Sequence, residues 1–508
     1  MTNSARLSGR PSSSAAYNVG DVVDTPDSAI KSWRYLGAGE WEPNDAVRYT
    51  RGPGGVVSFS AGDRPLVGIR ERKNSLLKHE PTRIVSTYSL NGSTTHTSVI
   101  TPGDSTATLE AKNICPVTGQ RLMRLHTGTA NNIISVRWQN MLSVQPAPDD
   151  VWILPIWFSD VETGAPSITL RLFTADGETD DNRRSLTIPG DRQPGWNFIV
   201  IGHGNEIVVG ANTYGLANAN TLLQSWSVGA NITQTSTYVT IVVEAGNQVD
   251  LTMLLGSIFL APAGWCTGSL IFQADDVPLS FWEHAVPEFE ARNLPYSLAP
   301  IARNFTSETG TRMDVSVLRE AQRRGAEIIA HSYSHQNFRT VSESGARLDL
   351  ERCRQAFAAN GFEGALHGFA YPFNARSSAS DAWLKEYGWK FARATGGFGC
   401  SWQPTHRLYN LPSFSVEVSN SWHVDACIQR CADMGLAGIA YGHETIPGGE
   451  GVNTRPAPSQ HYHAHLVRWL DRCVALRDAG KLEVHTYESY FAAVGMDWSA
   501  VEQWQLIP

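Results

Sequence analysis

At about residue 264 the hydrophobic period of this chain changes, and the change limits what each side of it can become. Upstream, short apolar runs follow one another between polar turns. Expected strands are Ile134-Ser-Val-Arg-Trp138, Trp152-Ile-Leu-Pro-Ile-Trp-Phe158, Ser167-Ile-Thr-Leu-Arg-Leu-Phe173, Asn197-Phe-Ile-Val-Ile201, Tyr238-Val-Thr-Ile-Val-Val243 and Leu255-Gly-Ser-Ile-Phe-Leu260. Short strands at this spacing predict a β-sandwich or jelly roll over 105–263, a module for carbohydrate binding or oligomerisation. Its tryptophans, among them Trp138, Trp152, Trp157, Trp196 and Trp226, are expected mainly in the sandwich core. Residues 1–104 predict a small β unit over roughly 15–75 and then an exposed connection, a possible virion attachment.

Downstream of 264, apolar runs alternate with helical stretches. Strands are expected at Leu294–Leu298, Glu327–Ala330, Gly368–Tyr371, Phe391–Ala394, Leu436–Tyr441 and Leu482–His485. Helices are expected at Asp314–Arg324, Ala346–Ala359, His423–Met434 and His465–Ala479. This is the α/β pattern, and about seven strands predict a barrel over 264–508. At 508 residues the chain exceeds one core, so it is read as multidomain, all-β first and α/β second.

Composition removes some partners. A net charge of −8 argues against a phosphate-backbone ligand, so no nucleic acid is expected. No apolar run approaches the ~20 residues that span a bilayer, and no secretory signal is visible, so no membrane partner is expected. The seven cysteines are odd in number and form no Cys-x-x-Cys, which predicts free buried thiols and folding in a reducing cytosol. Cys427 and Cys431 share a helical face but make a weak metal signal.

Two polar clusters emerge where apolar runs end. Asp275-Asp276 closes Gly268-Ser-Leu-Ile-Phe-Gln-Ala274, and His331-Ser-Tyr-Ser-His335 closes Gly325-Ala-Glu-Ile-Ile-Ala330. Strand ends in parallel α/β folds are where sites are built. One carboxylate with two imidazoles suits a divalent metal, zinc first and cobalt or nickel next. The second aspartate then stays free as a base. Alone, either cluster is ordinarily a turn or a surface pair.

Two more motifs follow in order, Phe369-Ala-Tyr-Pro-Phe-Asn374 and Ile439-Ala-Tyr-Gly-His443. With them, 264–495 resembles the polysaccharide deacetylases, the NodB-homology domains of carbohydrate esterase family 4. That family carries Thr-Phe-Asp-Asp-Gly, His-Ser/Thr-x-x-His, Arg-x-Pro-Tyr and a late strand ending in His. The resemblance implies a distorted (β/α)7-type barrel and a metal-dependent hydrolase in which metal-bound water attacks an acetyl carbonyl. It implies Asp276, His331 and His335 as metal ligands, Asp275 as general base and His443 as general acid. It implies an oxyanion contact from the Phe373 N–H, with Tyr371 and Trp422 lining a sugar subsite. N-deacetylation and O-deacetylation share one tetrahedral intermediate and are not separated by these motifs.

Four positions depart from the family. Ala370 stands where the arginine that tunes the catalytic aspartate is usual, so that partner is expected to be missing. Gln273-Ala274 replaces Thr-Phe, and Val277 replaces Gly. The family's Asp-x-x-Asp-Trp motif cannot be placed.

Rival features are weaker. His461-Tyr-His-Ala-His465 could bind metal at i, i+4 spacing, but lacks a carboxylate and is expected to be a solvated helix start. Gly103-Asp-Ser105 lacks a late Asp-x-x-His and is read as chance. The β-rich front half, the resemblance of its first segment to virion fibre proteins and the reducing cysteines suggest a bacteriophage tail protein. It would be made in host cytoplasm, would act at the host surface on acetylated capsule or exopolysaccharide beside other virion tail proteins, and would suit a homotrimer. A non-catalytic carbohydrate-binding adhesin is the alternative.

Overall fold

The structure is a computed structural model. It describes 264–495 except 307–309, 395–399, 402, 404–407, 419–420 and 453; before 264 it describes separate strands and short neighbouring stretches. The expected sandwich packing, the 15–75 unit, the 76–104 connection and Gly103-Asp-Ser105 lie largely outside the described residues. The front-half strands that are described pair antiparallel, in one seven-stranded and one six-stranded sheet and in smaller pieces.

The second half starts with the longest strand of the region, β1 (Gly268–Asp275), buried along its whole length. Both faces of β1 are covered, which is why it reads as a continuous apolar run. After β1 come helices α1 (Leu279–His284) and α2 (Val286–Ala291), then β2 (Ser297–Ala299). Helix α3 (Val315–Arg323) follows, its N-terminus capped by the Asp314 carboxylate, and leads to β3 (Glu327–Ile328). Next are α4 (Glu343–Ala359), β4 (Gly368–Ala370), α5 (Ser378–Glu386) and β5 (Phe391–Arg393). The chain continues through β6 (Phe414–Ser415), α6 (Trp422–Met434) and β7 (Ala437–Gly442). It ends with α7 (His463–Asp478), β8 (Leu482–His485) and α8 (Tyr487–Ala493).

Strand β1 pairs in parallel with β2 and β7, β2 with β3, β4 with β5, and β6 with β7. Parallel bridges Ala330–Phe369 and Arg393–Leu411 join β3 to β4 and β5 to the approach of β6. The circuit β1-β2-β3-β4-β5-β6-β7 therefore closes, with β8 paired in parallel to the start of β1. Two links of the ring are single bridges, so the barrel is distorted, as expected. All strand ends of one sense open onto one rim, and that rim carries the four motifs.

Close packing fixes two glycines. A Cβ at Gly268 would lie 2.1 Å from the Cys431 carbonyl oxygen, so only glycine lets β1 start against α6. Gly435 caps α6 in the left-handed region (φ 62°), where the chain turns into β7. Cys266, Cys353, Cys400, Cys427, Cys431 and Cys473 are free and buried, as expected. No helix among the described residues is long and apolar enough to cross a membrane.

Candidate metal centre and acid–base pairs

At the end of β1 the backbone leaves extended geometry abruptly. Asp276 and Val277 have φ of 60° and 45°, and Val277 is the residue standing where the family has glycine. Positive φ on a β-branched residue is strained, and such strain persists only where surroundings over-determine it. Here the Asp276 N–H donates to the Ala299 carbonyl (3.1 Å) and the Met313 N–H to the Val277 carbonyl (3.0 Å). Ser332, His335, Phe373 and Asn374 also have positive φ, so six of the eight described non-glycine residues with positive φ lie at these strand ends.

The turn brings three side chains together. Asp276, His331 and His335 offer ligand atoms within 4.8 Å of one another. Asp276 Oδ1 lies 3.5 Å from His331 Nε2 and 3.4 Å from His335 Nε2. That Oδ1 is buried without a hydrogen-bond partner, while Oδ2 faces the Arg312 guanidinium at 3.3 Å. His331 Nδ1 donates to the Ala370 carbonyl at 2.8 Å, leaving Nε2 with its lone pair toward the triad. Burial, and then the neighbouring His331, hold His335 down to about 4; burial also lowers His331. Both imidazoles are therefore neutral at neutral pH. An orphaned carboxylate oxygen between two neutral Nε2 atoms fits a divalent cation of borderline softness.

A buried carboxylate shapes the histidine loop. Asp349 of α4 accepts from the Tyr333 N–H (2.8 Å) and the Ser334 N–H (2.9 Å), and the His335 N–H donates to Ser332 Oγ (2.8 Å). Asp349→Ala is expected to weaken zinc binding roughly 10–100-fold, the usual cost of losing an outer partner of a ligand. A competition titration with a chromogenic chelator checks this. Unchanged affinity would mean the loop holds its shape without Asp349.

Asp275 is paired after all. Asp275 is 3% exposed, and its Oδ2 lies 2.5 Å from Nη2 of the fully buried Arg393. Burial pushes the Asp275 carboxyl up, but Arg393, with His331 and His443, brings it below its ordinary value. The arginine absent at Ala370 is thus supplied by the neighbouring strand, where Arg393 is the direct cross-strand partner of Ala370. The expectation of a missing partner is corrected. Arg393 also donates to Asn374 Oδ1 and lies 4.5 Å from the centre of the Tyr441 ring.

His443, at the end of β7, has its own carboxylate. Its Nδ1 is 3.1 Å from both oxygens of Glu417, and its backbone N–H donates to Oε1 at 2.6 Å. Burial lowers the imidazole pKa, but the Glu417 hydrogen bond and Asp275 outweigh it and raise the group to about 9. Glu417 lies in the run Phe414-Ser-Val-Glu-Val418, outside the four motifs.

Phe373 sits in a turn with φ 56°, 64% exposed, its ring 4.4 Å from that of His335. The turn's hydrogen bonds run from the Asn374 N–H to Tyr371 O and from the Ala375 N–H to Pro372 O, outside the Phe373 N–H. Tyr371 is fully buried, its hydroxyl donating to Asp381 (2.8 Å), so it supports this turn from beneath and does not line a subsite. Trp422, partly buried at the start of α6, lies under the Arg468 guanidinium at 4.1 Å. His461 and His465 are both 2% exposed, bonded to Thr445 Oγ1 (2.9 Å) and the Val452 carbonyl (2.7 Å). They are core histidines, contrary to the expected solvated helix start.

Sequence reasoning missed Arg393, Glu417, Arg312 and Asp349. The signal for the first two was present: one charged residue inside each of the apolar runs Phe391-Ala-Arg-Ala394 and Phe414-Ser-Val-Glu-Val418. Charged residues are rarely buried unless paired.

Residues 268–392 match the polysaccharide deacetylase family. No curated protein matches the chain. Among solved structures, the Xyl-CE4 domain of a multidomain xylanase from the hindgut metagenome of Trinervitermes trinervoides is similar at 16% identity, covering 46% of this chain and 93% of that one, TM-score 0.31. A family 4 carbohydrate esterase from Streptomyces lividans is similar at 15% identity over 44% and 93%, TM-score 0.31. A family 4 acetyl xylan esterase from Clostridium thermocellum, in complex with cobalt, is similar at 14% over 45% and 93%, TM-score 0.31.

Proposed function

We propose that this chain is a polysaccharide deacetylase, a hydrolase acting on acetyl groups of carbohydrates, and that it deacetylates a bacterial surface polysaccharide; the match of residues 268–392 to that family supports the reading. The carrying observation is the Asp276, His331, His335 cluster set beside two paired groups, Asp275–Arg393 and His443–Glu417. A divalent metal bound by the three, most simply zinc, would supply Lewis acidity toward water and the acetyl carbonyl.

The chain's own residues do the proton work. Asp275, ionised through its pairing with Arg393, accepts the proton of the attacking water at a carboxylate oxygen. His443, protonated through Glu417, donates from Nε2 to the departing amine or alcohol. The Phe373 N–H faces the developing oxyanion, and the exposed Phe373 ring offers a flat surface to the sugar. A base that stays ionised and an acid that stays protonated over the same pH range are what hydrolysis of an acetyl group requires.

The pH profile follows from His443. The acid is present below its pKa of about 9 and is lost as pH rises through it, so kcat is expected to fall on the alkaline side near 9. Glu417→Gln removes the group that raises this pKa, and the alkaline limb is expected to move to lower pH. A profile of acetate release between pH 6 and pH 10 checks it. An unmoved limb would show that another group donates the proton.

The setting proposed is a bacteriophage tail enzyme acting on acetylated capsule or exopolysaccharide, alongside other tail proteins and as a homotrimer. Free buried cysteines and the antiparallel strands of the front half support this reading. Immunodetection on purified virions tests it, and absence from the particles would end it.

A further inference from the structure

We propose that Gln273, held by Tyr487, is a positioning residue that fixes the orientation of the Asp275 carboxylate for proton transfer. The inference rests on the deacetylase reading above. Gln273 and Asp275 are two apart on β1, so their side chains leave the strand on the same side. Both are 3% exposed, and a buried amide is costly unless its two ends are bonded. Gln273 Nε2 donates to Asp275 Oδ1, and the Tyr487 hydroxyl donates to Gln273 Oε1.

Only one arrangement of the amide works. Asp275 Oδ2 already accepts from Arg393, so the carboxylate is ionised and has no proton to give. A flipped amide would set its carbonyl oxygen against the carboxylate oxygen, two acceptors face to face. Tyr487, as a donor to Oε1, locks the working orientation. Its ring is fully buried and stacks on Phe391, with centroids 4.8 Å apart. The start of α8 is fixed in turn, because the Tyr487 and Glu488 N–H groups donate to the Glu327 carboxylate (2.8 and 2.9 Å).

The carboxylate is thus held at both oxygens, Oδ2 by Arg393 and Oδ1 by Gln273. Rotation about a carboxylate's terminal torsion is otherwise broad. Each oxygen keeps a second lone pair, so the hold leaves room for an incoming proton. Gln273 stands where the family has threonine, so the strut belongs to this chain's own departure from the pattern.

The test compares wild type, Gln273→Met, Tyr487→Phe and the double variant on an N-acetylglucosamine tetramer and an O-acetylated xylo-oligosaccharide, with zinc affinity measured in parallel. Gln273→Met keeps the shape and removes both bonds. Its kcat is expected to fall on the order of tenfold, the scale of a misoriented catalytic group, with KM and zinc affinity within twofold of wild type. Tyr487→Phe is expected to lower kcat less, and the double variant to match Gln273→Met, because Tyr487 acts only through the amide. Wild-type kcat in Gln273→Met would overturn the proposal. Equal losses in kcat, KM and zinc affinity would overturn it too, since they describe general damage. If the wild type releases acetate from neither substrate while binding zinc, the deacetylase reading fails and the inference goes with it.

Discussion

Asp275→Asn is expected to lower kcat for acetate release by about 10²–10⁴, the range for removing a general base, while zinc still binds. The substitution keeps the shape and removes the proton acceptor. It also spoils the pairing on one side. An amide presents one acceptor and one donor, whereas Asp275 accepts from both Arg393 and Gln273. Either the new NH2 meets the Gln273 NH2 or it meets the guanidinium, so a modest loss of stability accompanies the loss of rate. Zinc affinity separates the roles, because the three ligand atoms belong to Asp276, His331 and His335. Loss of zinc in Asp275→Asn would mean that the two aspartates do not divide their work as described.

Arg393→Met is expected to destabilise the fold by about 3–5 kcal/mol, the usual cost of leaving one member of a buried ion pair alone. Arg393 is fully buried and Asp275 nearly so. Replacing the guanidinium by a thioether fills similar space but leaves a carboxylate with no countercharge. Arg393→Lys is expected to fall between, since a compact ammonium cannot reach Asp275 and Asn374 together. Adding Asp275→Asn to Arg393→Met removes the stranded charge, so the double variant is expected to be more stable than Arg393→Met alone. Urea denaturation of wild type, Asp275→Asn, Arg393→Met and the double variant measures this, and simple additivity would mean the pair is not coupled. The sign with pH is also set. Asp275 is held below 3.8, so the pair's stabilisation is present above that value and fades as pH falls through the lower folded-state pKa.

Much of the barrel was legible because its strands are apolar runs and its longer helices carry a clear period. Val315–Arg323, Glu343–Ala359, Trp422–Met434 and His463–Asp478 lie within a few residues of their expected bounds. Leu279–His284, Val286–Ala291, Ser378–Glu386 and Tyr487–Ala493 were missed, since helices of 6, 7 or 9 residues are shorter than the window in which periodicity is read. The candidate metal ligands and the proposed base and acid were legible because they sit on motifs at strand ends. Their partners were not, because Arg393 and Glu417 reach them from the ends of other strands rather than along the chain. Ala370 is the instructive position. Its loss of the family arginine looked like a missing part until register put Arg393 opposite it. His461 and His465 misled in the other direction, since i, i+4 spacing implied a shared helical face, whereas His461 lies on the strand Gln460–Tyr462 before the helix begins and both are buried.

Acetate release measured before chelation, after chelation and after adding zinc back is the most direct measurement of the central claim. The account predicts release from the wild type, loss to background with chelator, and recovery with zinc, with no recovery in His331→Ala. Release that persists undiminished after the metal is stripped, or that survives in His331→Ala, would contradict it.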